Sequence, residues 1–186
     1  MHHKGTRTLF TPRLVLRRLT TADAEHMYAH WAADAEVTRF LTWPPHASID
    51  VTREVLGTWV TSYASDDFYQ WGIVLTETSE LVGTISVVNL AEDIEEVEVG
   101  YCLGRAWWGK GIMTEALDRV ITFFFDEVGA NRVSAKHDVE NPASGAVMAK
   151  CGMIREGMRR SGARSNRGIV DVACYALLAK DVRARG

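Results

Sequence analysis

Cysteine, proline and long apolar runs are all scarce in this chain, and each shortage excludes something. The three cysteines, Cys102, Cys151 and Cys174, are odd in number and lack Cys-x-x-Cys spacing. They read as reduced thiols in a cytoplasmic protein, with neither a disulfide frame nor a zinc site. No His/Cys/Asp cluster has metal-ligand spacing, so no metal is expected. No segment approaches the roughly 18 consecutive apolar residues of a membrane span. Met1-His2-His3-Lys4-Gly5 also lacks the apolar run of a signal peptide, and no membrane attachment is expected. Of only four prolines, Pro44 and Pro45 stand together and stiffen an aromatic loop, Phe40 to His46. A surplus of positive charge is missing too. The 21 Lys and Arg face 24 Asp and Glu, for a net charge of −3, which argues against bulk nucleic-acid binding. No repeat, low-complexity tract or linker divides the 186 residues, so one domain, 1–186, with a well-buried core is expected.

Periodicity supplies the elements. Leu14 to Leu19 after Pro12 predicts a first strand. Thr20 or Thr21 then caps a helix from about Ala22 to Ala33, and Ser48 begins a second helix through Val51, Leu56 and Val60. Tyr69 to Leu75 and Leu81 to Val88 read as a hairpin across Thr76–Glu80. Glu96 to Leu103 is a third strand of this group, and Ile112 to Val128 repeats apolar residues at helical spacing before Gly129 stops it. Arg132 to Asp138 predicts a strand, and Asn141-Pro142 opens a helix ending near Cys151-Gly152. Met153 to Arg160 and Ile169 to Leu178 close the chain as strands around a polar loop, Ser161 to Arg167. Strands alternate with helices only in the second half. The expected fold is therefore α/β of the mixed kind, a mostly antiparallel twisted sheet of about seven strands flanked by helices.

The chemistry concentrates between Val97 and Gly111, where a strand runs into Gly104-Arg105-Ala106-Trp107-Trp108-Gly109-Lys110-Gly111 and a helix follows. Such a turn aims backbone N–H groups and a helix dipole at one spot, which suits phosphate. The nucleotide-hydrolase loop GxxxxGK[ST] is excluded, because Gly111 stands where a Ser or Thr must hold Mg²⁺. The run Trp108-Gly109-Lys110-Gly111-Ile112-Met113-Thr114-Glu115-Ala116 resembles the acyl-CoA-binding signature of the GNAT superfamily of N-acetyltransferases. Some thirty residues on, Asn141-Pro142-Ala143-Ser144 through Cys151-Gly152-Met153 resembles the second motif of that family. Pro12-Arg13-Leu14-Val15-Leu16-Arg17 is similar to the opening of its ribosomal-protein N-terminal acetyltransferase branch. Two departures stand out. Ala106 occupies a place where relatives often have Gln or Arg, and Met148 occupies that of the tyrosine many relatives use to reprotonate the thiolate.

The resemblance implies a co-substrate, acetyl-CoA, and residues to hold it. Amides of Trp108, Gly109, Lys110, Gly111, Ile112 and Met113 would grip its pyrophosphate. Backbone groups of Tyr101, Cys102 and Leu103 would pair with the pantetheine arm, and Asn141, first of all a helix cap, would also meet a pantetheine amide. The acceptor would be a primary amine, with a protein or ribosomal-protein N-terminus first. A small amine (polyamine, amino acid or antibiotic) and a catalytically silent acyl-CoA-binding module are the alternatives. An α-amine, with a reference pKa of about 7.7–8.0 against about 10.4 for lysine, is the easier nucleophile to make neutral. Direct transfer then needs positioning and one base. Alternation puts Glu96, Glu98, Gly100 and Cys102 on one face, so Glu98 is the expected base, with the small Gly100 and Cys102 leaving substrate room beside it. Ser144 is the expected hydroxyl at the leaving sulfur. Cys102 and Cys151 read as small buried thiols, His137 as structural, and Trp43 as a lining residue of the acceptor slot.

Overall fold

Strand pairing orders the computed structural model, whose described residues are 1–183, into one eight-stranded sheet. The chain opens with a small hairpin, β1 (Leu9–Phe10) and β2 (Leu14–Arg17). A helical stretch follows as three windings: a 3₁₀ turn at Thr21–Asp23, α1 (Ala24–Met27) and a π turn at Tyr28–Ala32. Thr20 starts it with a capping box shared with Asp23. Next come α2 (Ala35–Thr38) and α3 (Ile49–Ser62). Strands β3 (Gln70–Leu75), β4 (Leu81–Ala91) and β5 (Glu96–Leu103) form an antiparallel meander. Then α4 (Ile112–Phe123), extended by a π turn to Val128, crosses to β6 (Arg132–Asp138). Finally α5 (Pro142–Lys150) leads to the hairpin of β7 (Ile154–Ser165) and β8 (Gly168–Leu178), and α6 (Ala179–Arg183) follows.

The strand order is β1-β2-β3-β4-β5-β6-β8-β7, and among the described pairings only β5–β6 is parallel. That parallel joint is the product of the α4 crossover, since a parallel pair cannot be closed by a tight turn. Apolar residues cover both sheet faces. On one face Tyr69, Trp71, Val97 and Val99 pack with Leu117, Phe123, Phe124 and Met148 from α4, its π extension and α5. On the other, Leu19, Met27, Trp31, Leu56 and Leu81 form a second cluster against which Trp43, Trp59 and Cys102 lean.

The sheet is mostly antiparallel as expected, and its eight strands include Leu9–Phe10, which pairs with Val15 and Leu16 in a contact too short to show periodicity. The single turn α2 is likewise too short to show it. One expectation needs correction. Most of the expected Ser161–Arg167 loop is strand: β7 reaches Ser165, with Ala163, Arg164 and Ser165 paired to Val170, Ile169 and Gly168. A register shift between Arg159 and Ala163, with Ser161 at φ 51°, lets this polar, exposed stretch stay in the ladder.

Candidate active site

Gly109 and Gly111 both have left-handed backbones, φ 73° and 75°, which only glycine adopts without strain. The turn they make exposes a row of donors. Among the described residues, the backbone N–H groups of Gly109 through Thr114 have no acceptor; the first paired amide of α4 is that of Glu115, on the Gly111 carbonyl at 3.0 Å. Helix α4 adds the positive end of its dipole. The loop is braced from the opening strands. Arg13 donates from Nη1 to the Lys110 carbonyl at 3.1 Å and from Nε to Glu115 at 2.6 Å, and the Thr11 hydroxyl donates to the same carboxylate at 2.6 Å. Burial would raise the Glu115 carboxyl, but the Thr11 and Arg13 donors outweigh it and hold it below the usual carboxylate range. Trp108 turns its indole N–H onto the Leu103 carbonyl at 2.7 Å, joining loop to strand. The Lys110 side chain is exposed.

The strand leading into this loop parts from its neighbour. Strands β5 and β6 pair only over Glu96, Val97 and Glu98 with Arg132, Val133 and Ser134. Beyond that, β5 continues along β4 to Leu103 and β6 along β8 to Asp138, so a slot opens between Tyr101–Leu103 and Ala135–Asp138. Glu98 sits where the two strands separate, and its carboxylate meets the Lys136 ammonium at 2.8 Å. Lower on the same face Arg132 lies between Glu96 and Glu156. The space expected beside Glu98 is partly filled. β4 bulges between Val87 and Asn89, and the extra residue, Val88, lays its side chain over Gly100, where a Cβ would come within 2.8 Å of it. Cys102 is likewise engaged, its thiol 3.3 Å from the Thr84 hydroxyl.

The helix on the other wall is built as the spacing suggests. Asn141 caps α5, its side-chain oxygen accepting from the Ser144 amide at 3.4 Å, with Pro142 in the first turn. His137 packs its ring on Gly145, where a Cβ would meet Nε2 at 2.5 Å, and its Nδ1 lies 2.8 Å from the Asp138 carbonyl. Beside the end of β6 the aromatic loop, Phe40 to His46, touches the turn between β7 and β8. Asn166 donates from its side chain to the carbonyls of Thr38 and Trp43 at 2.8 and 2.7 Å, and from its amide to that of Leu41. Arg167 grips both oxygens of buried Asp138 at 2.9 and 2.8 Å, and its guanidinium lies 5.7 Å from the Phe40 ring centre. Trp43 stacks at an angle on His46, whose Nδ1 lies 2.8 Å from the Thr52 hydroxyl.

Residues 13–154 match the acetyltransferase (GNAT) domain family. The chain belongs to the GNAT acetyltransferases. It is 29% identical to the uncharacterised N-acetyltransferase p20 of Bacillus licheniformis, over 94% of this chain and 97% of that one. It is 31% identical to the uncharacterised N-acetyltransferase YoaA of Bacillus subtilis, over 91% and 96%. A [ribosomal protein uS5]-alanine N-acetyltransferase of Escherichia coli is 25% identical over 80% of this chain and 79% of its own. Among solved folds, microcin C7 self-immunity acetyltransferase MccE, in complex with acetyl-CoA and AMP, superposes with a TM-score of 0.82 at 20% identity, over 90% of this chain and 93% of that one. RimL, a ribosomal L7/L12 α-N-protein acetyltransferase in complex with coenzyme A, gives 0.80 at 21%, over 92% and 98%. The protein is accordingly an acyltransferase enzyme.

Within this GNAT frame the two departures find their surroundings. Arg105, next to Ala106, turns away from the glycine loop to pair with Asp34, which caps α2, at 2.9 Å. Met148, in the place of the family tyrosine, is buried in the core. A different phenol stands nearby: the Tyr101 hydroxyl lies 3.1 Å from both the carbonyl and the hydroxyl of Ser144. Burial pushes this phenol up, against the Ser144 bond that lowers it, so it stays a neutral donor. Sequence reasoning used only the backbone of Tyr101 and missed this side chain, together with Lys136, Asn166 and the Arg167–Asp138 pair. Burial also pushes the Cys102 thiol up to about 11 and the Cys151 thiol up to about 12, which removes both as nucleophiles. Among the described residues, no group of three or more His, Cys, Asp or Glu is placed to hold a metal ion, and no helix is long and apolar enough to cross a membrane.

Proposed function

We propose that this GNAT enzyme transfers the acetyl group of acetyl-CoA directly to the α-amine of a protein or peptide N-terminus. The observation that carries the reading is the run of unpartnered amides from Gly109 to Thr114 beside the slot between β5 and β6. These donors suit the pyrophosphate, with no Cβ-sized obstruction at Gly109. The backbone edge of Tyr101–Leu103 that faces away from β4, unpaired with β6, suits the amides of a pantetheine arm lying in the slot as an added strand. Asn141 spends its side-chain oxygen on the α5 cap, which leaves its amide nitrogen to donate to the same arm.

At the separation point the acceptor enters as a neutral amine, and Glu98 takes the one proton its nitrogen sheds as the new bond forms, directly or through one water. The amine nitrogen then bonds to the thioester carbonyl carbon, the C–S bond breaks, and the thiolate leaves beside Ser144. The Tyr101 hydroxyl, turned to donate to the Ser144 hydroxyl oxygen, leaves the Ser144 proton for a hydrogen bond to the departing sulfur. The Lys136 ammonium balances Glu98 and keeps the slot from being purely acidic. An N-terminal acceptor is supported by the ribosomal-protein acetyltransferases among the relatives. The three free thiols support a reducing, cytoplasmic setting.

The test is acetyl transfer measured by mass spectrometry across α-amine peptides, ribosomal proteins and small amines, with Glu98→Gln beside the wild type. Preference for α-amines, and a kcat lowered by about a hundredfold or more in the variant at unchanged coenzyme A affinity, is expected. Transfer only to small amines overturns the acceptor. Coenzyme A binding without transfer to any amine overturns the enzyme reading in favour of a silent binding module.

A further inference from the structure

One strand holds charge that the acyl-transfer site does not use. Between residues 154 and 167 the chain carries five arginines and a single carboxylate, in a protein of net charge −3. Arg167 is spent on Asp138 and Glu140, and Glu156 is spent on Arg132. Arg155, Arg159, Arg160 and Arg164 are all exposed, and among the described residues none has a carboxylate partner. All four stand on β7, which pairs only with β8 and forms the outer edge of the sheet. The β8 partners of Arg155 and Arg164, Tyr175 and Ile169, lie six residues apart, so the row spans roughly 20 Å at about 3.3 Å per residue.

This row leads to the aromatic loop. Arg164 pairs with Ile169 across the hairpin whose tip is Asn166-Arg167, and that tip is fastened to the carbonyls of Thr38, Leu41 and Trp43. There the Phe40 ring has guanidinium groups of Arg167 and of exposed Arg39 at 5.7 and 5.2 Å from its centre. Exposed arginines thus stand on both sides of the tip, Arg39 at the aromatic loop and Arg164 at the head of the edge strand, with Arg160, Arg159 and Arg155 beyond it.

We infer that this arginine track binds an acidic polypeptide segment lying downstream of the N-terminus to be acetylated. The inference rests on the α-amine reading above and narrows its substrate class: the acceptor carries carboxylates within the stretch that trails from the slot. The occupant follows from what lies between the arginines. Ile154, Met158 and Ile169 are 55%, 50% and 66% exposed, so the track offers aliphatic contacts between charges. β7 holds no aromatic ring on which a nucleic-acid base would stack. The two register shifts along β7 bend its ladder and discourage simple strand addition, which leaves side-chain pairing as the main attraction.

The test uses the full chain, acetyl-CoA, and three peptides with the same free first residues followed by acidic, uncharged or basic tails. The variant is Arg159→Glu with Arg160→Glu and Arg164→Glu, and the matching glutamine triple controls for misfolding by its melting temperature. Wild type is expected to favour the acidic tail over the uncharged one by about tenfold in kcat/KM at low salt, through KM, and to lose that preference at high salt. The glutamate triple removes the preference while leaving kcat/KM for the uncharged tail within about twofold. Fluorescence anisotropy with the acidic peptide already N-acetylated reads the track without any turnover, so a wrong acceptor assignment and a wrong track assignment give different results. An acidic preference that survives in the glutamate triple, or equal binding of all three tails to wild type, overturns the inference. Binding of a single-stranded RNA of equal charge in place of the acidic peptide overturns it as well.

Discussion

Arg13, in the turn between the first two strands, donates to the carbonyl of Lys110, nearly a hundred residues away at the centre of the glycine loop. The same side chain holds Glu115 in the first turn of α4, so one residue fixes both ends of the row of free amides. Those amides can act as a preorganised anion site only if the loop does not have to be ordered each time a ligand arrives.

Replacing Arg13 with methionine keeps most of its stem and removes the fork. Because the guanidinium is half exposed, the effect is modest: coenzyme A affinity falls by about threefold to tenfold, while kcat at saturating acetyl-CoA stays within about twofold. Isothermal titration with coenzyme A measures the first quantity and steady-state kinetics the second. An unchanged Kd would show that the brace does not matter for the loop.

Gly109→Ala separates backbone conformation from crowding, since a Cβ there meets nothing within 4 Å. At φ 73° the substitution costs about 1 kcal/mol in stability, seen as a lower denaturant midpoint. Coenzyme A binding is expected to weaken more than in the Arg13 variant, because the loop relaxes toward negative φ and turns its N–H groups aside.

Tyr101→Phe and Ser144→Ala test the hydroxyl pair. Each single change is expected to lower kcat by about tenfold, and the double change to lower it no further, because both remove one arrangement. Acetyl-CoA KM should hold within about twofold. Full additivity of the two effects would separate the residues.

The aromatic loop carries a pH dependence. Burial holds His46 below its usual value, with its ring against the Thr52 hydroxyl. A group depressed in the folded state stabilises it above the unfolded value, about 6.5, and that contribution is lost as pH falls through the lower folded value. Wild type is therefore expected to lose stability between pH 7 and pH 5, with a shallower slope in His46→Asn. Urea titrations at the two pH values measure both slopes, and equal slopes would place the pH dependence elsewhere.

Much of this architecture is legible in the residue pattern. Glu96–Leu103, Arg132–Asp138 and the helix from Ile112 are found where the residue pattern predicts them, and Glu96–Leu103 and the helix each bury one clean face. Asn141 caps its helix for the same local reason. What escapes is set by distant neighbours. The Glu98–Lys136 pair depends on the register of two strands joined through α4, and no local signal specifies that register. Val88 reaches Gly100 because β4 carries an extra residue, which alternation alone does not show. The outer half of β7 is polar on both sides and reads as loop, although its partner strand keeps it extended.

The seam between β5 and β6 is only three residue pairs long, and it divides the inventory of the enzyme unevenly. The anion-gripping turn and its Arg13 brace belong to the amino-terminal meander and the crossover. The edge hairpin belongs to the carboxy-terminal strands. On the proposed reading, changes in β7 and its tip would alter which amine is accepted and leave the hold on the acyl donor untouched.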